Sequence, residues 1–230
     1  MLKICGYQKT TLLDFPGCVA STVFLSGCNM RCPFCHNMNI VISKEMPECT
    51  DEDFLKFLTK RRGILDGVCI TGGEPTLYEE LPSFIRLIRD LGYRIKLDTN
   101  GTNPGMLRAL MSEGLLDYVA MDIKSSFPLY SKACGIPDIR LSPIKESIDM
   151  LIGGNVEYEF RTTAVNELLD DQAIEDIALL IKGAKRYFLQ GFVMSEHVPD
   201  RSLTPVPKEK LLQYMQELSS SIGHVELRGL

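Results

Sequence analysis

Three cysteines stand close together in the stretch GCNMRCPFCHN, residues 27–37. Cys28, Cys32 and Cys35 are separated by three residues and then by two. Thiolates at such a spacing bind zinc or the irons of an iron–sulfur cluster, and a closed site of either kind normally takes four protein ligands. The sequence therefore predicts a metal centre in this loop and leaves open what completes it.

A structural zinc would take its fourth ligand from His36, Cys18 or Cys49. His36 directly follows Cys35, so these two side chains are poorly placed to bind one ion. A four-iron cluster held by only three cysteines keeps an open coordination position on one iron, which suits chemistry rather than a structural role. We favour the cluster, with zinc as the alternative.

Most other unusual polar groups coincide with predicted strands. GGEP (72–75) follows the second strand, DTNG (98–101) ends the third, and DIK (122–124) ends the fourth. Arg161 and Gln190 lie within the fifth and the sixth. Because the carboxyl ends of parallel strands carry the chemistry in α/β folds, this distribution predicts one active site at that edge.

Strands and helices alternate along most of the chain. Short segments rich in β-branched and aromatic residues predict strands at 19–25, 67–71, 93–99, 118–124, 158–165 and 187–193. Between them lie amphipathic helices, of which Thr50 caps one and Pro104 starts another. This alternation predicts parallel strands with right-handed crossovers, in a partial barrel or an open doubly wound sheet.

We expect one domain over residues 1–230, with an N-terminal extension (1–18), six βα units (19–193), and a C-terminal loop, helix and tail (194–230). The net charge of −5 argues against a general nucleic-acid partner, which would need clustered Lys and Arg. The N-terminus lacks the apolar segment of a secretory signal, and no run reaches the roughly 18 apolar residues of a membrane span. We therefore expect a cytoplasmic protein, in which eight cysteines indicate metal or redox chemistry.

Together the motifs resemble a known family. The Cys-x3-Cys-x2-Cys loop, with Phe34 before its last cysteine, is similar to the signature of radical S-adenosylmethionine (SAM) enzymes, and GGEP resembles that family's next motif. DTNG and DIK resemble strand ends in activases of glycyl radical enzymes. The segment GYQKTTLLDFPG (6–17) before the cysteine loop resembles the activating proteins of anaerobic ribonucleoside-triphosphate reductase. The fold implied is a partial (β/α)6 TIM-type barrel with parallel strands, the radical SAM core.

The resemblance implies that Cys28, Cys32 and Cys35 are the catalytic metal ligands and hold a [4Fe–4S] cluster. SAM would chelate the remaining iron, so that the missing ligand is the substrate. Phe34 would pack near the adenine, with anchoring of the loop in the core as the alternative, and Asn37 would line the same cofactor site.

The second motif would bind the methionine end of SAM. Gly72 and Gly73 would let the backbone approach the ligand, and Glu74 would accept hydrogen bonds from the ammonium group of SAM. The alternative for this motif is a tight turn with an exposed Glu74.

The third and fourth motifs would surround the same ligand with charge. Asp98 would bind a ribose hydroxyl or a cation, and Thr99 and Asp122 resemble ligands of a monovalent cation beside SAM. Lys124 would neutralise the SAM carboxylate. The alternative is a structural Asp122–Lys124 pair, because strand residues two apart share a face.

Three further residues complete the predicted cofactor site. Arg161 would meet a carboxylate with its planar guanidinium, and Asn100 would either line the site or serve only as a turn residue. Some related activases carry a histidine near SAM in the sixth strand, where Gln190 would serve here as a neutral hydrogen-bonding group.

The implied activity is reductive cleavage of SAM at the cluster and generation of a glycyl radical on anaerobic ribonucleoside-triphosphate reductase. A low-potential electron donor such as flavodoxin or ferredoxin would reduce the cluster. The alternatives are an activase of another glycyl radical enzyme, a radical SAM enzyme acting on a small molecule or RNA, and a non-enzymatic zinc-binding α/β module.

Overall fold

The structure, a computed structural model, describes residues 2–42 and 49–229. Its elements fall in two compact units. The first consists of residues 1–29, 39–99 and 103–119, and the second of residues 30–38, 100–102 and 120–230. One strand, β5 (Tyr118–Asp122), has residues in both units. The expectation of a single domain stays a prediction.

Parallel strands dominate the first unit. Its strands are β1 (Ile4–Thr11), β2 (Ala20–Leu25), β3 (Gly67–Gly72) and β4 (Arg94–Thr99). β2, β3 and β4 run parallel, with Ala20 opposite Gly67 and Gly67 opposite Arg94. They confirm the first three predicted strands, whose nearly continuous burial explains why their sequences do not alternate.

Strand β1 lies in the segment that we predicted only as an N-terminal extension. It pairs with β2 in the antiparallel direction and covers that edge of the sheet. Five of the six residues between its buried ends, Ile4 and Thr11, are polar or glycine, and all six are half-buried or exposed. The strand therefore lacks the apolar signal on which the prediction of the others depended.

The helices before residue 119 are α1 (Met38–Ile42), α2 (Asp51–Thr59), α3 (Leu81–Asp90) and α4 (Pro104–Ser112). Helix α2 begins as predicted: the Thr50 hydroxyl accepts from the amide of Asp53, and the Asp53 carboxylate accepts from the amide of Thr50. Phe54 and Leu58 on this helix are fully buried. Pro104 occupies the first position of α4, where the missing N–H costs no helical hydrogen bond.

The second unit repeats the parallel pairing. Its other strands are β6 (Glu157–Ala164), β7 (Tyr187–Gly191) and β8 (Val225–Arg228). Phe160 lies opposite Tyr187, and Tyr187 lies opposite Val225. β6 and β7 confirm the fifth and sixth predicted strands. β8 corrects the predicted C-terminal tail: Arg228 in this strand pairs with Glu159 at 2.9 Å.

The helices of the second unit are α5 (Phe127–Cys134), α6 (Ser142–Gly153), α7 (Asp171–Leu180) and α8 (Lys208–Leu218). The last three were predicted from their apolar stripes. Helix α5 was not, because its 8 residues are too few to show a repeating stripe. None of the helices in the described part of the chain is long and apolar enough to cross a membrane.

Candidate active site

Backbone hydrogen bonds hold the cysteine loop just before its first cysteine and just before its second. All eight cysteines lie among the described residues, and each is a thiol. In the first unit, the amide of Gly27 donates to the carbonyl of Ile40 at 3.3 Å, just before the half-buried Cys28. In the second unit, the amide of Arg31 donates to the carbonyl of Cys134 at 2.8 Å, just before the buried Cys32. Each unit therefore fixes the backbone of the part of the loop that it contains.

The two glycines of GGEP make room for the cysteine loop. The amide of Gly73 donates to Leu25 and that of Glu74 donates to Gly27, both at 2.8 Å. A Cβ atom on Gly73 would lie 1.7 Å from the carbonyl oxygen of Gly27. Gly72 adopts a φ of 116°, which favours glycine. The close neighbour of these glycines is therefore the backbone of β2 and the residue before Cys28.

Glu74 is a buried acid, with 0% of its surface exposed. Its Oε1 accepts from the Thr76 amide at 3.1 Å, from the Thr76 hydroxyl at 2.5 Å and from the Thr99 hydroxyl at 2.8 Å. These bonds cap the short 3-10 helix Pro75–Leu77. The alternative of an exposed Glu74 is wrong, because the side chain points inward and ties β3 to the end of β4.

Asp98 on β4 pairs with a lysine that the sequence analysis did not single out. Lys96 is 2% exposed, and its Nζ lies 2.5 Å from Asp98 Oδ1. The thiol of Cys69 on β3 lies 3.8 Å from the same oxygen and 3.8 Å from Nζ. The sequence did contain a signal for this pair. Lys96 and Asp98 are two residues apart on one strand and so share a face, as we had noted for Asp122 and Lys124.

Asn100 forms a turn. Its Oδ1 accepts from the amide of Thr102 at 3.0 Å and from the hydroxyl of Thr102 at 2.7 Å. In the same unit the Ser147 hydroxyl donates to the carbonyl of Gly101 at 2.8 Å. This arrangement corresponds to the turn role that the sequence offered for Asn100.

Asp122 is the centre of a charged triad in the second unit. Its carboxylate is 2.9 Å from Lys124 Nζ and 2.9 Å from the Arg161 guanidinium. Burial alone would raise the pKa of Asp122, but the charges of Arg161 and Lys124 outweigh it and hold the pKa well below its ordinary range. Burial would lower the pKa of Lys124, yet Asp122 and the thiolate of Cys32 raise it above its ordinary value. The predicted Asp–Lys pair is therefore present, and Arg161 joins it.

Tyr130 on α5 is a second residue that the sequence analysis missed. It is fully buried, and its hydroxyl lies near the backbone of Lys124 without a hydrogen bond of good geometry to any described residue. Burial raises the pKa of this phenol, Lys124 lowers it, and the nearby thiolate of Cys32 raises it further. No local sequence pattern distinguishes Tyr130 from a core aromatic residue. A buried donor beside Cys32 fits a bound group that accepts a hydrogen bond there.

The remaining predicted residues lie in the second unit. Phe34 is buried, Asn37 is half-buried, and Cys35 is half-buried with its amide donating to the carbonyl of Cys32 at 3.1 Å. Gln190 is a half-buried residue of β7, opposite Thr163 on β6. Their assignment to a cofactor stays a prediction.

The candidate fourth zinc ligands are engaged elsewhere. Cys18 belongs to a buried apolar cluster with Phe15, Ala20 and Tyr118. The ring of His36 contacts the carbonyl of Val193 through Nε2 at 2.7 Å, and the thiol of Cys49 donates to the carbonyl of Thr50 at 3.1 Å. Within residues 2–42 and 49–229, no three His, Cys, Asp or Glu side chains converge as ready-made metal ligands. The three cysteines of the loop do not form such a group either, and only the chemistry of their thiols suits iron–sulfur ligation.

Comparison with known proteins identifies the family. The model of the radical SAM superfamily matches residues 22–181, well over half of the chain. The chain belongs to the radical SAM superfamily. It is therefore an enzyme of this kind, and its cofactors are a [4Fe–4S] cluster and SAM. The non-enzymatic zinc module is excluded by this membership.

Two relatives are similar in sequence. One, from Methanocaldococcus jannaschii, bears the name of a glycyl-radical enzyme activating enzyme and is 32% identical over 99% of this chain and 96% of its own length. The pyruvate formate-lyase-activating enzyme of Clostridium pasteurianum is 32% identical over 54% of this chain and 53% of its own.

A solved structure confirms the predicted fold class. SuiB of Streptococcus suis, bound to SAM, superimposes with a TM-score of 0.65 over 90% of this chain and 52% of that chain. The two are 13% identical, so the similarity concerns the fold. It is the α/β fold of the radical SAM core that the sequence predicted.

We predict that Gly73→Ala disrupts the cysteine loop, because the new Cβ would overlap the carbonyl oxygen of Gly27. Overpacking of this kind typically costs about 1–3 kcal/mol of unfolding free energy. Urea unfolding should show this loss, and less iron should bind after anaerobic reconstitution. Gly105→Ala is the matched control, since its nearest neighbour would be 3.6 Å away, an ordinary contact. An unchanged iron content in Gly73→Ala would contradict the prediction.

We also predict a pH-dependent contribution from Asp122. Because its folded pKa is depressed, its charge stabilises the protein above the unfolded pKa, about 3.9. That stability is lost as the pH falls below this value toward the folded pKa. The difference in unfolding free energy between the wild type and Asp122→Asn, measured without cluster, should therefore shrink between about pH 5 and pH 3. A constant difference would show that the charge of Asp122 is not responsible.

Proposed function

We propose that this protein is a radical SAM activase that generates a glycyl radical on anaerobic ribonucleoside-triphosphate reductase. The observation that carries the proposal is the 32% identity to the glycyl-radical activating relative along nearly the full length of both chains. A match confined to the cysteine loop would support only the superfamily, because one fold hosts many chemistries.

Cys28, Cys32 and Cys35 are the proposed cluster ligands. Together they would hold the cluster, which when bound would supply one electron for the reductive cleavage of SAM and so the means of taking a hydrogen atom from a glycine. Cys32 is buried within the electrostatic reach of Lys124, whose positive charge favours a thiolate. The environment of this residue thus suits a metal ligand.

We assign residues of the later motifs to SAM separately in each unit. Glu74 offers a buried carboxylate to the ammonium of SAM, and the cations Lys124 and Arg161 are held near one another by Asp122. Hydrogen bonds to buried charged groups are strong because the interior screens them weakly. We assign Lys124 to the SAM carboxylate.

The choice of partner rests on the N-terminal segment. Residues 6–17, which resemble the activating proteins of the reductase, form all but the first two residues of β1 and most of the loop to β2. A different glycyl radical enzyme is the second candidate partner, supported by the similarity to the pyruvate formate-lyase-activating enzyme. We propose a low-potential flavodoxin or ferredoxin as the electron donor.

We predict that the anaerobically reconstituted and reduced protein, mixed with SAM and the reductase, produces a glycyl radical doublet in electron paramagnetic resonance. Cys35→Ala should abolish both the doublet and SAM cleavage, because the cluster loses one ligand. Cys5→Ala is the matched control, since Cys5 lies in β1 and outside the loop.

The possible outcomes test the partner, the class of substrate and the cluster ligands separately. SAM cleavage with a doublet on another glycyl radical enzyme, and none on the reductase, would replace the partner. SAM cleavage without a doublet on either enzyme would favour a small-molecule or RNA substrate. Full SAM cleavage by Cys35→Ala would contradict the assignment of the cluster ligands.

A further inference from the structure

Lys96 is an unusual residue for the interior of a parallel strand. Its side chain is 2% exposed, whereas that of Lys145 on α6, for example, is 45% exposed. A buried ammonium is strongly disfavoured unless it is paired and hydrogen-bonded. Lys96 meets this condition through Asp98, whose Oδ1 lies 2.5 Å from Nζ, and through the nearby thiol of Cys69.

This pair involves Asp98, which by resemblance would bind either a ribose hydroxyl or a monovalent cation. The expected ligands in the first unit were Asp98 and Thr99. Asp98 accepts from the ammonium of Lys96, and the Thr99 hydroxyl donates to Glu74 at 2.8 Å. Asp98 and Thr99 therefore both have hydrogen-bond partners. The partner of Asp98, Lys96, carries one positive charge, as a sodium or potassium ion would.

Asp122 in the second unit, the third expected cation ligand, is also paired with side-chain cations. Its carboxylate meets two side-chain cations, Lys124 and Arg161, each at 2.9 Å. Each acidic residue of the expected cation site is therefore neutralised within its own unit by a covalently attached cation. A metal ion at either carboxylate would have to displace a charge-assisted hydrogen bond.

We propose that Lys96 replaces a monovalent metal ion at the SAM site of this enzyme. Lys96 acts as a positioning residue: it fixes the Asp98 carboxylate and neutralises it, so that SAM binds without sodium or potassium. The inference rests on the proposed assignment of Asp98 to that site, and it concerns a residue outside the motifs that define the superfamily.

The first test uses the reconstituted wild-type protein. SAM binding is measured by anaerobic equilibrium dialysis in potassium chloride, sodium chloride or choline chloride at equal ionic strength, which keeps general screening constant. We expect dissociation constants that agree within about twofold. A dissociation constant for SAM that is about tenfold or more lower in potassium or sodium chloride than in choline chloride would overturn the proposal.

The second test removes the built-in charge. Lys96→Met keeps much of the side-chain length but leaves Asp98 without its cation. SAM binding should weaken about tenfold in choline chloride, which corresponds to about 1.4 kcal/mol, and should recover in potassium or sodium chloride. A purely structural role for Lys96 would weaken binding equally in all three salts, and this outcome would also overturn the proposal.

Matched variants control for folding. Lys145→Met makes the same substitution in an exposed pair with Asp149, and its SAM binding should stay insensitive to the salt used. If Lys96→Met is too unstable to study, Lys96→Met with Asp98→Asn removes both buried charges. That double variant should bind SAM weakly in every salt, without recovery. Recovery by potassium in the absence of the Asp98 carboxylate would contradict the proposed exchange.

The results separate this inference from the proposed function. A wild-type protein that binds its cluster but no SAM in any salt would contradict the SAM site itself. A wild-type protein that binds and cleaves SAM only with potassium or sodium would leave the activase proposal intact and refute the role of Lys96.

Discussion

The close approach of two backbone segments is the constraint on which the first unit's part of the site depends. The turn after β3 lies against the residue before Cys28, with two amide–carbonyl bonds and no room for a side chain on Gly73. Backbone hydrogen bonds fix position more firmly than side-chain contacts do, because no rotamer has to be ordered. The first cysteine of the loop and the buried Glu74 are therefore held in one rigid frame before any ligand binds.

In each unit the protein keeps the charges of its motifs in satisfied groups. Glu74 is bonded to two threonines, Asp98 to Lys96, and Asp122 to Lys124 and Arg161. Such groups are costly to bury alone and acceptable when each donor and acceptor has a partner. The benefit for an enzyme is preorganisation, since fixed dipoles and charges need little rearrangement when a zwitterionic ligand arrives.

Fold and sequence carry different amounts of functional information here. The fold is shared with SuiB at 13% identity and by itself does not specify a function. The similarity to the M. jannaschii relative is more informative about function. It extends to β1 and the C-terminal region, which lie outside residues 22–181 that the superfamily model matches.

The sequence by itself determined the cysteine spacing, six of the strands and the superfamily, because these depend on local patterns of apolar residues and on fixed motif spacings. It did not predict β1, β8 or α5, since two edge strands and one short helix leave weak periodic signals. Only the tertiary structure decided the burial of Glu74, of the Lys96–Asp98 pair and of Tyr130. These features are set by depth in the core, and depth is a property of the folded chain.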